Sequence, residues 1–319
     1  MNQERSTPAT AHDRTGWTEL GLLGMALIWA VNFSVIKVGL ADLRPFAFNA
    51  LRFPFAALLL LLVLRSRGPV PLPRREDVGR IILLGVLGNV VYQYFFIVGM
   101  DRTRAGNASL LLASTPIFTA IWSVLAGHER SDPRVWGGAA ATLLGMVLVI
   151  GGGETGFSLG GETVAGDLLM AGSSVVWSIY TVAAREPIRR YGSIAVTAWT
   201  LWIGTAGLVL IGLPALADVD WRAVSPAAWG SVLYAGMLGI GLAYLLWYHG
   251  VKRLGSTRTA VWANAVPVLA LIVAWIWLGE VPTPWQIGGA AVIIGGLRLA
   301  RQRRRRWPRA PTGERLLRS

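Results

Sequence analysis

The chain has 319 residues, of which 54% are hydrophobic and only 15% charged, with a formal net charge of +13 and no cysteine. That is too little charge to cover the surface of a soluble protein of this length. The missing cysteines exclude disulfides, thiol catalysis and cysteine-based metal sites.

The apolar residues fall in runs of roughly 15–24, the length that crosses a bilayer core about 30 Å thick at about 1.5 Å per residue. Ten such runs predict helices at 17–40, 46–64, 78–100, 105–126, 136–151, 166–184, 194–213, 227–250, 257–278 and 285–300. Barrel strands would read as short alternating segments, so an all-α membrane protein with ten transmembrane helices is expected. The polar segment 1–16 is expected to stay cytoplasmic, with no cleavable signal ahead of the first run.

The first run carries Trp29 and Asn32 near its middle and Lys37 near its end. An amide at that depth needs a hydrogen bond, so Asn32 should face the interior, as interhelical glue or as a substrate contact. Arg52, about two turns into the second run, is read like Lys37 as snorkelling to the interface, with a substrate carboxylate or a helix C-terminus also in reach. The third run presents Asn89, Tyr92, Gln93 and Phe96 at helical spacing. In the fourth, Pro116 frees a carbonyl one turn earlier, which Ser114 or Thr115 could satisfy. The fifth repeats small residues at Gly137, Ala141 and Gly145, for packing inside the subunit or in a dimer. The sixth opens with Asp167 as an N-terminal charge and places Ser173, Trp177 and Tyr180 on one face. Trp199 and Trp202 of the seventh are read as lipid-facing. The eighth aligns Tyr234, Met237, Gly241, Tyr244 and Tyr248, and ends at His249. The ninth holds Trp262, Asn264 and Pro267. Glu129 and Glu280 sit at helix ends, where backbone groups or arginines can pair with them. Trp17, Trp136, Trp221, Trp229 and Trp285 lie where a headgroup belt is expected.

Two stretches, Gly85 to Gly145 and Gly236 to Gly296, are one pattern written twice, 151 residues apart. Proline, glutamate and glycine recur in register as Pro116/Pro267, Glu129/Glu280, Gly138/Gly289 and Gly145/Gly296. Trp29 and Trp177 correspond at a spacing of 148. Five runs per copy would thread the second copy in the opposite sense. Two inverted halves enclose a site near the midplane, although duplication can also simply enlarge a bundle. With the N-terminus inside, the inner segments hold 24 of the 30 Lys and Arg and the outer loops four. That bias predicts a multi-pass protein of a bacterial-type inner membrane with both termini cytoplasmic. The expected organisation is an N-terminal segment 1–16, repeats 17–151 and 166–300, an extracytoplasmic linker 152–165 and a basic tail 301–319 that can touch anionic headgroups. The excess charge therefore does not imply nucleic acid.

The stretches LIWAVNFSVIK, SLLLASTPIFTAIWSVLAGHE, AVWANAVPVLALIVAWIWLGE and WQIGGAAVIIGG together resemble the EamA-like branch of the drug/metabolite transporter superfamily, over about residues 17–300. The resemblance implies two inverted five-helix repeats around a cavity lined by helices 1, 3, 4, 6, 8 and 9. It implies export of amino acids, other metabolites or toxic compounds, with aromatic and neutral amino-acid exporters as the best fit. Ala30 departs from the family's usual small glycine or serine. The expected substrate contacts are Trp29, Asn32, Asn89, Tyr92, Gln93, Ser114, Trp177, Tyr180, Tyr244, Tyr248, Trp262 and Asn264, with Pro116 and Pro267 as hinges. Their aromatic and amide character suits an amphipathic solute and not a phosphorylated one. No HExxH, P-loop or cluster of three His, Asp or Glu residues occurs, so neither an enzyme nor a cofactor is expected. Efflux of drugs or toxic cations and, in another class, a membrane enzyme or assembly factor are the other readings. A homodimer is compatible with all of them.

Overall fold

The computed structural model describes residues 11–66, 68, 72–128, 132–153, 156–157 and 163–301. Glu129, the first ten residues and the basic tail from 302 lie outside the described residues, and with them the readings made there.

Helical segments follow one another as the apolar runs predict. They are α1 (Ala11–Leu40), α2 (Pro45–Arg65), α3 (Arg75–Arg102), α4 (Ala105–Leu112 and Thr115–Leu125), α5 (Pro133–Gly151), α6 (Val164–Ala183, bent by 46° into Arg185–Tyr191), α7 (Ser193–Ala217), α8 (Pro226–Leu254), α9 (Ser256–Ala263 and Val266–Leu278) and α10 (Pro284–Arg301). Their starts are chemically marked. Prolines open α2, α5, α8 and α10, where a missing N–H costs nothing. The Asp132 carboxylate accepts from Arg134 N at 2.8 Å, and Ser225 Oγ accepts from Ala228 N at 3.2 Å. Gly192, Gly255 and Gly279 take positive φ at the junctions around α7, α9 and the end of α9, where a side chain would be strained. Asp42, in the turn before α2, accepts from Ser225 N at 2.8 Å; Ser225 holds its carboxyl below the usual carboxylate range.

Among the described residues, eight helices are long and apolar enough to cross a membrane, or nine if the bent α6 pair is one span. The segment α10 has the length, but Gln286, Arg298 and Arg301 dilute its hydropathy. A two-stranded ribbon, Gly152–Gly153 against Gly156–Phe157, lies in the linker, where only loop was expected.

The packing is paired. The helix α1 lies on α8 and α9 as α6 lies on α3 and α4. Likewise α2 contacts α7 and the middle of α8, while α7 contacts α2 and the middle of α3. The pairs α4–α9 and α5–α10 cross from one half to the other. Exchanging the halves maps each contact onto another. The α5–α10 seam shows why the glycines matter. A Cβ on Gly138 would come within 2.5 Å of Gly296 O, and one on Gly145 within 2.7 Å of Gly289 O. Small residues there let the two backbones touch. Hence the small-residue face of α5 serves packing within the subunit, and it is Gly138 and Gly145 that reach α10. Gly137 instead has only Leu299 nearby, at 3.5 Å.

Two departures from ideal α-helix set the site. Val86–Val91 in α3 and Tyr234–Leu242 in α8 are π-helical. They overlap under the spacing of 151. A π segment shifts the helical phase, and such bulges gather at functional sites. The shift explains a correction: Met237 is 40% exposed and does not share the face of Tyr234 and Tyr244. Trp199 is also not lipid-facing; it is 5% exposed and meets Tyr191 edge to face at 5.1 Å. Trp202 is partly buried and donates its indole N–H to Ala57 O at 3.1 Å.

Candidate functional site

Rings from both halves gather in two groups, with Tyr244 of one within Coulombic reach of Tyr92 and Tyr180 of the other. Tyr92 of α3 meets Trp177 of α6 at 4.8 Å between ring centroids, and Trp177 meets Tyr180 at 5.0 Å. On the other side, Trp29 of α1 stands edge to face with Tyr244 of α8 at 6.3 Å. Trp262 packs with Trp29 and Trp247 around Leu22 and Met25.

The π glycines allow this approach. A Cβ on Gly88 would strike the Tyr180 ring at 2.4 Å, and one on its repeat partner Gly239 would strike Asn32 Oδ1 at 2.6 Å. The Trp29 indole donates to Gly239 O at 3.0 Å. Asn89 Nδ2 donates to Thr200 O at 3.0 Å, and Tyr180 and Thr200 share a hydroxyl bond of 3.2 Å. Tyr248 hydrogen-bonds Thr197. The Asn32 Oδ1 atom is buried, with no hydrogen-bond partner among the described residues.

Arg52 does not snorkel. It is 1% exposed, the largest of the fully buried side chains. Its Nε donates to Asn49 Oδ1 at 2.9 Å and its Nη2 to Gln93 Oε1 at 2.8 Å, and the rings of Phe48, Phe53 and Phe96 stand 5.2–5.8 Å away. Two amides and three ring faces thus hold it in place of water, and no carboxylate among the described residues pairs with it. Asn49 lies one turn before Arg52, and that polar pair inside an apolar run is the sequence signal of an inward-facing guanidinium.

The mid-helix breaks fall at Ala113–Ser114 in α4 and Asn264–Ala265 in α9, which correspond at 151 residues. In α4 the hydroxyl repair is as expected. Thr115 Oγ1 donates to Leu112 O at 2.7 Å, the carbonyl that Pro116 leaves without an amide. Ser114 Oγ donates to Leu111 O at 2.6 Å, so it faces its own backbone. Asn264 lies at the α9 break but is exposed, apart from the aromatic cluster.

A second polar cluster clasps the α3–α4 turn. Asp167, fully buried, accepts from Thr103 Oγ1 and from Asn107 Nδ2 at 3.0 and 3.1 Å. Gln286 Nε2 donates to Asn107 Oδ1. Glu280 accepts from the backbone amides of Ala105 and Gly106 at 2.9 and 3.0 Å, capping α4 from the opposite half. Lys37 donates to the carbonyls of Met100 and Asp101 at 3.0 and 3.2 Å, rather than simply reaching for solvent.

Sequence comparison agrees with the doubled architecture. The profile of the EamA-like transporter family matches residues 16–151 and again 164–301. An uncharacterized transporter of Bacillus subtilis, YdfC, is 34% identical over 85% of this chain and 86% of its own length. A probable terminal-alkyne amino-acid exporter of Streptantibioticus cattleyicolor is 32% identical over 86% of this chain and 90% of its own. A probable amino-acid metabolite efflux pump of Salmonella typhimurium is 26% identical over 86% and 91%. One solved crystal structure, 24% identical, overlays 90% of this chain and 96% of its own with a TM-score of 0.63, so the fold is shared.

Proposed function

We propose, from the premise that this chain belongs to the EamA-like transporter family, that it is a secondary carrier exporting neutral or aromatic amino acids by alternating access. That it is a multi-pass membrane transporter and not an enzyme follows from the family and from its relatives. The solute, the direction and the mechanism are our reading. In it, α10 is the tenth crossing and the two halves thread the bilayer in opposite senses, both termini lying in the cytoplasm of a bacterial-type cell. The pairwise equivalence of helix contacts supports this arrangement. The arginine-rich tail would meet anionic headgroups, and any homodimer would use faces other than α5–α10.

The observation that carries the solute class is the ring cluster of Tyr92, Trp177, Trp29 and Tyr244, built from both halves beside paired π segments and paired breaks. Rings flanked by amides suit an amphipathic solute of modest size. Buried Arg52 beside the rings disfavours cationic drugs, since like charges repel strongly where water is excluded. Uptake and efflux of labelled amino acids in proteoliposomes, with and without imposed pH and voltage gradients, test the proposal. Flux of aromatic or branched amino acids is expected; no flux under any gradient would remove it.

The paired prolines act as hinges in the same reading. Pro116→Ala offers Leu112 O an amide that competes with the Thr115 hydroxyl, healing the break. In α9, where Val266 stands in place of Thr115, Pro267→Ala offers Ala263 O the amide that the proline withholds. Each should lower turnover by about tenfold, a barrier change of roughly 1.4 kcal/mol, with membrane insertion and yield unchanged. Wild-type rates in both variants would discredit the hinges.

A further inference from the structure

We infer that Arg52 and Asn32 are the two poles of a clamp for a zwitterionic α-amino acid, the guanidinium receiving the carboxylate and the Asn32 amide oxygen receiving the ammonium. This rests on the transport reading above and names the chemistry by which that site selects its solute.

The first ground is charge. Arg52 is 1% exposed, and no carboxylate pairs with it among the described residues. Among the described residues its only hydrogen-bond partners are the neutral oxygens of Asn49 and Gln93, so two of the five N–H donors are engaged and those of Nη1 remain open. A buried cation without a counter-charge is unfavourable, and a planar guanidinium fork matches a carboxylate with two parallel bonds. Tyr92 and Tyr244, members of the ring cluster, lie near enough to feel its charge.

The second ground is the orphan acceptor. Asn32 Oδ1 is buried without a donor. An ammonium brings three donors and no acceptor, which complements it. Trp29, one turn earlier on α1, stands against Tyr244, so rings for the side chain flank this pole.

The third ground is the repeat. The spacing of 148 that relates Trp29 to Trp177 carries Asn32 to Tyr180 and Arg52 to Thr200. Tyr180 and Thr200 are hydrogen-bonded to each other at 3.2 Å, so that half satisfies itself. Their counterparts hold matching places: Gly236 approaches Arg52 O as Gly85 approaches Thr200 O, and Gly239 approaches Asn32 as Gly88 approaches Tyr180. At the position where one half closes on itself, the other presents a cation and a free acceptor.

The test uses the wild-type protein in proteoliposomes, with labelled phenylalanine in counterflow and three unlabelled competitors. These are phenylalanine, phenylalaninamide, which lacks the carboxylate, and 3-phenylpropanoate, which lacks the ammonium. Each truncated analogue should compete at least about tenfold more weakly than phenylalanine, the cost of roughly 1.4 kcal/mol of lost contact. Phenylalaninamide competing within threefold of phenylalanine overturns the Arg52 pole, and 3-phenylpropanoate doing so overturns the Asn32 pole. Asn32→Ala should abolish discrimination against 3-phenylpropanoate and keep that against the amide; a uniform loss across all three competitors overturns its assigned role. Absence of any amino-acid flux would instead sink the transport reading, so the two failures are separable.

Discussion

Gly145→Val is expected to unfold the α5–α10 seam, and Gly296→Val to do the same from the other side. A Cβ at Gly145 would lie 2.7 Å from Gly289 O and 2.8 Å from Ile293 Cγ1; one at Gly296 would lie 2.6 Å from Gly138 O and from Thr142 Oγ1. In each case a backbone carbonyl is among the obstacles, so no rotamer change relieves it, and the helices must separate. Overpacking usually costs about 1–3 kcal/mol. The rigid obstacle puts these variants at the upper end, about 3 kcal/mol, and about 1.5 °C is lost per kcal/mol in a chain of 319 residues. A melting temperature lower by about 4–5 °C and a fall in monodisperse yield are expected, read by thermal-shift chromatography in detergent. Gly288→Val and Gly295→Val on the same helix supply the control, because nothing lies within 4 Å of a Cβ at either position. Equal losses in control and seam variants would refute the argument.

This seam also shows what was legible in the sequence. Gly138 and Gly289 are repeat partners, as are Gly145 and Gly296, so the two contacts Gly138–Gly296 and Gly145–Gly289 map onto each other when the halves are exchanged. The run lengths outlined the helices and the register of 151 paired their breaks, because both properties follow from composition and spacing. What escaped was set by lateral geometry. Arg52 lies about 10 Å along α2 from its start, a depth from which a long side chain can reach the interface. Only its neighbours Asn49 and Gln93 show that it turns inward instead. The π segments were invisible because a face drawn with 3.6 residues per turn assumes the phase they break, which misplaced Met237. Asn264 stands three residues before Pro267 in the sequence, yet the α9 break leaves it exposed. Asp167 was read as a helix-end charge; its three hydrogen bonds to Thr103 and Asn107 depend on α3–α4 and α6 meeting, which no local pattern reports.

Glu280→Gln is expected to loosen the membrane face that carries the α3–α4 turn. The carboxylate of Glu280 takes the amides of both Ala105 and Gly106, the exposed donors at the start of α4, from the end of α9 in the other half. Lys37 sits within Coulombic reach of Glu280 while it binds the last carbonyls of α3. Each helix end at this turn is therefore matched by the opposite charge, and the match at the start of α4 crosses between the halves. Hydrogen bonds to a charged partner contribute about 1.5–3 kcal/mol each. Glutamine keeps an acceptor of similar shape but loses the charge, so under the alternating access proposed above a loss of at least about 1.4 kcal/mol, or tenfold in the balance between closed and open forms of this face, is expected. The cysteine-free sequence allows a clean reporter. Spin labels on Arg102→Cys and Arg222→Cys, both at exposed positions, read the separation of the α3–α4 turn from the α7–α8 loop. A longer-distance population should grow in Glu280→Gln and shrink again in Glu280→Asp only as far as the shorter carboxylate can still reach the two amides. Identical distance distributions in wild type and Glu280→Gln would show that the contact holds α4 in place without governing access.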